Sequence, residues 1–196
     1  AIWQKNSWVV PITAAVSIDG GSFSGLNSVT GGGNFALANV SNFFNNTQSV
    51  FSSSGTMSLS TVNIASAITL SNSGGNALTL TNVTASSPLF IISMSQTLTY
   101  GDITISGGSF NNLNINGRQI QINGVSGSSI PMGTSSIHAN SNGSVSLSYI
   151  NASGSMSLET GGAVSLINVS ANAGLSIGSG TTPSSATLGG GSFQGT

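Results

Sequence analysis

Charge is what this sequence has least of. Of 196 residues, two are Lys or Arg, three Asp or Glu and one His, namely Lys5, Arg118, Asp19, Asp102, Glu159 and His138. That is 3% charged, against about 25% in an ordinary soluble domain. Stability follows pH through groups whose pKa changes on folding, so a chain with so few is expected to be nearly indifferent to acid. Two cations cannot track a phosphate backbone or an anionic membrane surface, so nucleic acid is not an expected partner. Cysteine is absent, which excludes disulfides and thiolate metal sites. The longest apolar run, Trp8 to Ile18, is broken by Pro11. A helical membrane span needs about 20 residues, so none is expected. No stretch shows helical spacing, and Gly and Asn recur too often for long helices.

What is present is neutral and polar. Ser, Thr, Asn and Gly number 40, 18, 21 and 27, more than half the chain. Such compositions are often disordered. Here the hydrophobic 38% is not scattered but alternates with polar residues. Met57/Leu59, Leu78/Leu80, Ile103/Ile105, Ile120/Ile122, Val145/Leu147, Met156/Leu158 and Leu175/Ile177 are each separated by one polar residue, the signature of half-buried strands. The class is all-β.

The chain repeats itself. Gly20-Gly21-Ser22-Phe23 recurs 87 residues later as Gly107-Gly108-Ser109-Phe110, and again as Gly190-Gly191-Ser192-Phe193. Leu78–Thr84 recurs as Val164–Ser170. This divides the chain into an N-terminal arm, 1–19, a first β unit, 20–106, and a duplicate-like second, 107–196, which can share one continuous β body. Asp19 and Asp102, upstream of two tags, are read as equivalent turn residues. Asn116-Gly117, Asn123-Gly124 and Asn142-Gly143 are type I′ hairpin signals, with Leu113–Ile122 a compact hairpin. They favour antiparallel β-sandwich units of immunoglobulin or pilin type with an N-terminal donor strand. The alternative is a right-handed β-solenoid, because Gly143–Gly162 and Ala163–Thr181 look like coils of about 20 residues and resemble repeats of filamentous-haemagglutinin-type secreted adhesins.

Catalytic signals are thin. His138 reads as a loop histidine. Gly174-Leu175-Ser176-Ile177-Gly178 has the spelling of a nucleophile elbow, but no His follows it; Ser176 reads as a solvent-facing strand residue. Gly31-Gly32-Gly33 lacks the Lys of a phosphate loop. The expectation is no enzyme, no metal and no cofactor. Six sequons, at Asn39, Asn45, Asn82, Asn142, Asn151 and Asn168, point to N-linked glycans on an exported protein, and the start at Ala1 suits a removed signal peptide.

Both tryptophans, Trp3 and Trp8, fall in the arm. Aromatic anchors dominate interfaces, so the arm is expected to add as a strand to a neighbouring copy, with Trp3, Trp8, Val10, Ile12, Val16 and Ile18 as plugs. Head-to-tail addition builds a fibre. The apolar arm Trp8–Val16, the Ser/Thr/Asn-rich body without Cys and the sequons together resemble the thread filaments of thermoacidophilic archaea. That resemblance implies glycosylated, extracellular, cell-surface subunits joined by donor-strand complementation, as in chaperone–usher pilins, serving adhesion or biofilm. The second expectation is a solenoid adhesin fragment that binds glycans, surfaces or ice through a flat face, with Thr79/Thr81 and Thr97/Thr99 on it.

Overall fold

The structure, a computed structural model, describes residues 2–3, 7–9, 13–23, 28–43, 49–96, 99–125, 127–140, 142–178 and 181–194. Twenty strands and no helix occupy them. In chain order they are β1 Ile2–Trp3, β2 Ser7–Val9, β3 Val16–Asp19, β4 Ser22–Phe23, β5 Ser28–Gly31, β6 Phe35–Phe43, β7 Ser49–Ser53, β8 Met57–Ile64, β9 Ile68–Asn72 and β10 Leu78–Thr81. Then follow β11 Thr84–Ser93, β12 Ile103–Ser106, β13 Ser109–Gly117, β14 Ile120–Asn123, β15 Ile130–Ala139, β16 Val145–Ala152, β17 Met156–Glu159, β18 Ala163–Ala171, β19 Leu175–Ile177 and β20 Ser185–Phe193.

Every pairing between these strands is parallel. The chain coils, and each coil adds one strand to each of three ladders. The fold is therefore the β-solenoid, not the antiparallel sandwich. Along the first ladder, face 1, Val16 pairs with Phe35, and the register then runs through Met57, Leu78, Ile103, Ile120, Val145 and Val164 to Ala186. Eight steps cover that span, about 21 residues each. Two residues on, Ile18, Leu37, Leu59, Leu80, Ile105, Ile122, Leu147, Leu166 and Leu188 make a second inward column. From Phe35 and Leu37 through Val164 and Leu166 both columns are 0–2% exposed. Like residues stack on like, which is what an in-register parallel coil does with a period-two sequence.

Face 2 is short. By register one column runs Trp3, Phe23, Phe43, Ile64, Ala85, Phe110, Met132, Ala152, Ala171 and Phe193, and from Ile64 to Ala171 it is buried. The three tag phenylalanines stand four coils apart in this one column, so the 87-residue repeat is four coils. The tag has a packing reason. Above Asn82-Val83-Thr84-Ala85 lies Gly107-Gly108-Ser109-Phe110, and above Asn168-Val169-Ser170-Ala171 lies Gly190-Gly191-Ser192-Phe193. Where one coil carries Val then Ala, the next carries Gly then Phe, so a large side chain sits over a small one. The boundary expected at Ser106/Gly107 interrupts no ladder, since β12 joins β10 and β14.

In every described coil except that of β14, the corner after face 1 turns through a left-handed residue. Gly20, Asn39, Thr61, Asn82, Gly107, Tyr149, Asn168 and Gly190, each following the end of a face 1 strand segment, all have φ between 51° and 75°. Gly and Asn tolerate this conformation; Thr and Tyr do so at a cost of about 1–3 kcal/mol. The Asn-Gly pairs expected as hairpins are not left-handed. Asn116-Gly117 ends β13, which pairs with β11 and β15, while β14 pairs with β12 and β16. Among the described residues, antiparallel contact survives in two isolated bridges, Met94 with Tyr100 and Val125 with Ser128.

The corner between face 3 and face 1 is held by buried polar side chains. Ser53, Asn72 and Ser93 stack in register at 0% exposure. Asn72 donates from Nδ2 to the Gly55 carbonyl at 2.7 Å, and its Oδ1 accepts from the N–H groups of Gly74 and Asn76 at 3.1 and 3.2 Å. Ser53 and Ser93 donate to the carbonyls of Gly33 and Asn76 at 2.6 and 2.7 Å. Thr160 does the same to Gly143 at 2.6 Å.

The arm belongs to its own body. Ile2–Trp3, Ser7–Val9 and Val16–Asp19 pair with β4, β5 and β6 of the same chain. Val16 and Ile18, expected to plug a neighbour, pack half-buried against this chain's core. Trp3 and Trp8 lie in β1 and β2; Val10 and Ile12 are outside the described residues.

Candidate binding faces

Each strand leaves the residues between its inward ones outside. On face 1 the outward column between the two core columns includes Ser58, Thr79, Thr104, Gln121, Ser146 and Ser165, one per coil. A second runs Ser60, Thr81, Ser106, Asn123 and Ser148. Coils are about 4.8 Å apart, so these hydroxyls and amides form a regular, uncharged grid. Some bond along it, as Ser148 Oγ does to Asn123 Oδ1 at 3.1 Å. Of the threonines expected on such a face, Thr79 and Thr81 are there. Thr99 is exposed in the segment before β12, and Thr97 is outside the described residues.

Face 3 is chemically more varied. Its outward positions pair as rows: Phe90 and Ile92 on β11, Asn114 and Asn116 on β13, Ser136 and His138 on β15, Ser157 and Glu159 on β17. Phe90 is 42% exposed. Asn114 Nδ2 donates to Asn112 Oδ1 at 2.9 Å. The Asn116 Oδ1 is covered and accepts no hydrogen bond, a state that costs about 1–3 kcal/mol. His138 Nδ1 lies 3.2 Å from Glu159 Oε2. A shallow hollow of about 310 Å³ joins Phe90, Ile92, Asn114, Asn116, Ser136 and His138. His138 is thus a strand residue, not a loop one, and it meets an acid.

Among the described residues, Arg118, Asp102 and Asp19 also have partners. Arg118 holds Asp102 through two hydrogen bonds of 2.7 Å, from Nε and Nη2. The Arg118 guanidinium keeps the Asp102 carboxyl below its usual range, and Asp102 raises Arg118. Asp19 accepts from Asn39 Nδ2 at 2.8 Å. Asp19 closes a face 1 strand while Asp102 precedes one, so the two are not equivalent turn residues. No cluster of three metal-ligating side chains exists among the described residues. Ser176 is exposed on β19 between half-buried Leu175 and Ile177.

Of the six sequon asparagines, Asn39, Asn82 and Asn168 stand at the left-handed corner, Asn142 in a turn and Asn151 on the outward side of β16, all exposed. Asn45 lies outside the described residues. Among the described residues no helix is long and apolar enough to cross a membrane. Comparison with known protein families, with curated proteins and with solved structures finds no match.

Proposed function

We propose that this chain is an extracellular β-solenoid binding module of the adhesin kind, which holds to glycan-bearing or other repetitive surfaces. The observation that carries this reading is the face 1 grid, in which hydroxyl and amide groups recur in register on six successive coils, from Ser58 to Ser165, with almost no charge. Single hydroxyl contacts are weak, but a regular array multiplies them across a repetitive partner. Exposed Asn142 and Asn151 are the acceptors best placed to carry glycans without touching that grid. The test is adsorption to immobilised polysaccharide. A variant with Thr79, Thr104 and Ser146 all replaced by Lys should keep its β-sheet circular dichroism and lose most of its adsorption. Wild-type protein that does not adsorb, or a variant that adsorbs equally, overturns the reading.

A second reading, a filament, is favoured by one observation. The outer edge of β20 has no partner strand among the described residues, and Leu188 and Phe193 on it are 56% and 40% exposed. With β1–β3 already paired internally, copies would grow by stacking coil on coil rather than by donating a strand. Electron micrographs showing threads with wild-type protein and none with Leu188→Asp would support it; single particles from both would end it.

A further inference from the structure

We propose that face 3 carries a discrete binding site for a neutral oligosaccharide, centred on Phe90 and Asn116 and separate from the face 1 grid. Four rows of outward side chains make it. Phe90 offers a half-exposed aromatic ring on a sheet face that is polar over the next three coils. The C–H side of a sugar ring packs on such a ring, while an ionic ligand gains nothing from it. Next come the amides Asn114 and Asn116, with donors and acceptors side by side, which match hydroxyls that both donate and accept. Asn116 has an oxygen without a donor; a half-turn of its amide presents that oxygen to a hydroxyl lying on the face. Beyond it, His138 and Glu159, 3.2 Å apart, offer two polar heads to one more sugar unit. Glu159 is the one carboxylate among these eight outward residues and no Lys or Arg stands with them, so the patch has little to hold an ionic ligand. Phe90 to Glu159 spans three coil steps, about 14 Å at the spacing of parallel strands. The hollow of about 310 Å³ falls at the small end of ligand sites, roughly 300–1,000 Å³. Its apolar area is one ring and part of Ile92, too little for a stable protein interface.

The experiment is titration calorimetry and saturation-transfer NMR with maltotriose, cellotriose, mannotriose and chitotriose, with trigalacturonate as the charged control. At least one neutral trisaccharide should bind saturably, with ring protons close to Phe90. Phe90→Ala should weaken it about tenfold, the order of a lost stacking contact, and Asn116→Asp and His138→Ala by smaller factors, all with unchanged melting curves. The triple face 1 Lys variant should bind as wild type, so failure here and failure of the adhesin reading are separable. No saturable binding by any of the four, binding indifferent to Phe90→Ala, tighter binding of trigalacturonate, or a dimer that buries Phe90 overturns the proposal.

Discussion

The amide of Asn82 occupies the space directly against Gly107, where a Cβ on that glycine would stand, one coil further along the chain. Asn168 stands in the same relation to Gly190. At these two places on the corner, a coil that supplies a side chain is followed by a coil that gives way to it. The second glycine of each of these two tags, Gly108 and Gly191, is tighter still. A Cβ on Gly108 would overlap the Val83 carbonyl, and its φ is +94°.

Gly108→Ala should therefore destabilise the chain by about 2–5 kcal/mol, combining left-handed strain with overpacking against backbone that cannot move aside. Ser109→Ala, on the outward side of the same strand, should change stability by less than about 0.5 kcal/mol. Urea unfolding midpoints at constant slope measure both. Equal midpoints for the two variants would mean that the corner is not closely packed.

Thr61 tests the same corner from the opposite direction. It is exposed, β-branched and held at φ 54°, a conformation that asparagine accepts more readily. Thr61→Asn should raise stability by about 0.5–1 kcal/mol, seen as a higher melting temperature with no change in circular dichroism. A drop would show that the Thr61 side chain makes a contact worth more than the strain.

The alternation that marked the strands was legible because burial imposes it whatever the neighbour. Each inward pair read from the sequence, Leu78/Leu80 or Val145/Leu147, is an inward pair in the structure. Strand direction was not legible, since period two is the same in parallel and antiparallel ladders. Coil length was obscured by variable corners: from Leu78 to Ile103 the step is 25 residues and from Ile103 to Ile120 it is 17. The four-coil repeat was the legible one, because the second and third Gly-Gly-Ser-Phe tags stand where a coil must fit over Asn-Val-x-Ala. The pairing of His138 with Glu159 was hidden for the same reason. Twenty-one residues separate them, which means nothing until one coil is known to be about that long. Asn-Gly misled because its hairpin meaning requires the flanking strands to be neighbours, and here Gly117 ends one ladder strand while Ile120 begins a strand of another.

Asn72 closes one corner for three backbone groups at once, bonding Gly55, Gly74 and Asn76 at 0% exposure. Asn72→Ala leaves all three without that partner inside the protein. Each buried unsatisfied group costs about 1–3 kcal/mol, so the loss should be at least about 2 kcal/mol. Asn72→Asp keeps the acceptor and loses the donor, and should fall between wild type and Ala at neutral pH only if water reaches Gly55. Hydrogen exchange at the Gly74 and Asn76 amides reads the local effect directly: both should exchange faster in Asn72→Ala while Leu80 and Leu147 stay protected. Uniformly faster exchange would place the effect in global unfolding instead.

Acid should matter little, and its effect has a definite sign. The Asp102 carboxyl is held below its usual range chiefly by the hydrogen bonds from Arg118, with the guanidinium charge and the Gln119 N–H adding to it. A carboxyl depressed on folding contributes stability above its unfolded value, 3.8, and loses it as pH falls through the folded value. Arg118, raised by the same partner, stays charged over the whole working range, so it adds no slope near neutrality. Both side chains are well exposed, at 37% and 55%, and solvent screens the pair, so the acid limb should be shallow. Melting temperatures should agree between pH 5 and 8 and decline only below about pH 4, and Asp102→Asn should flatten that decline while lowering the plateau slightly. A steep fall between pH 7 and 5 would show that some other group couples folding to protons, and the nearly charge-free surface would no longer explain how the fold tolerates acid.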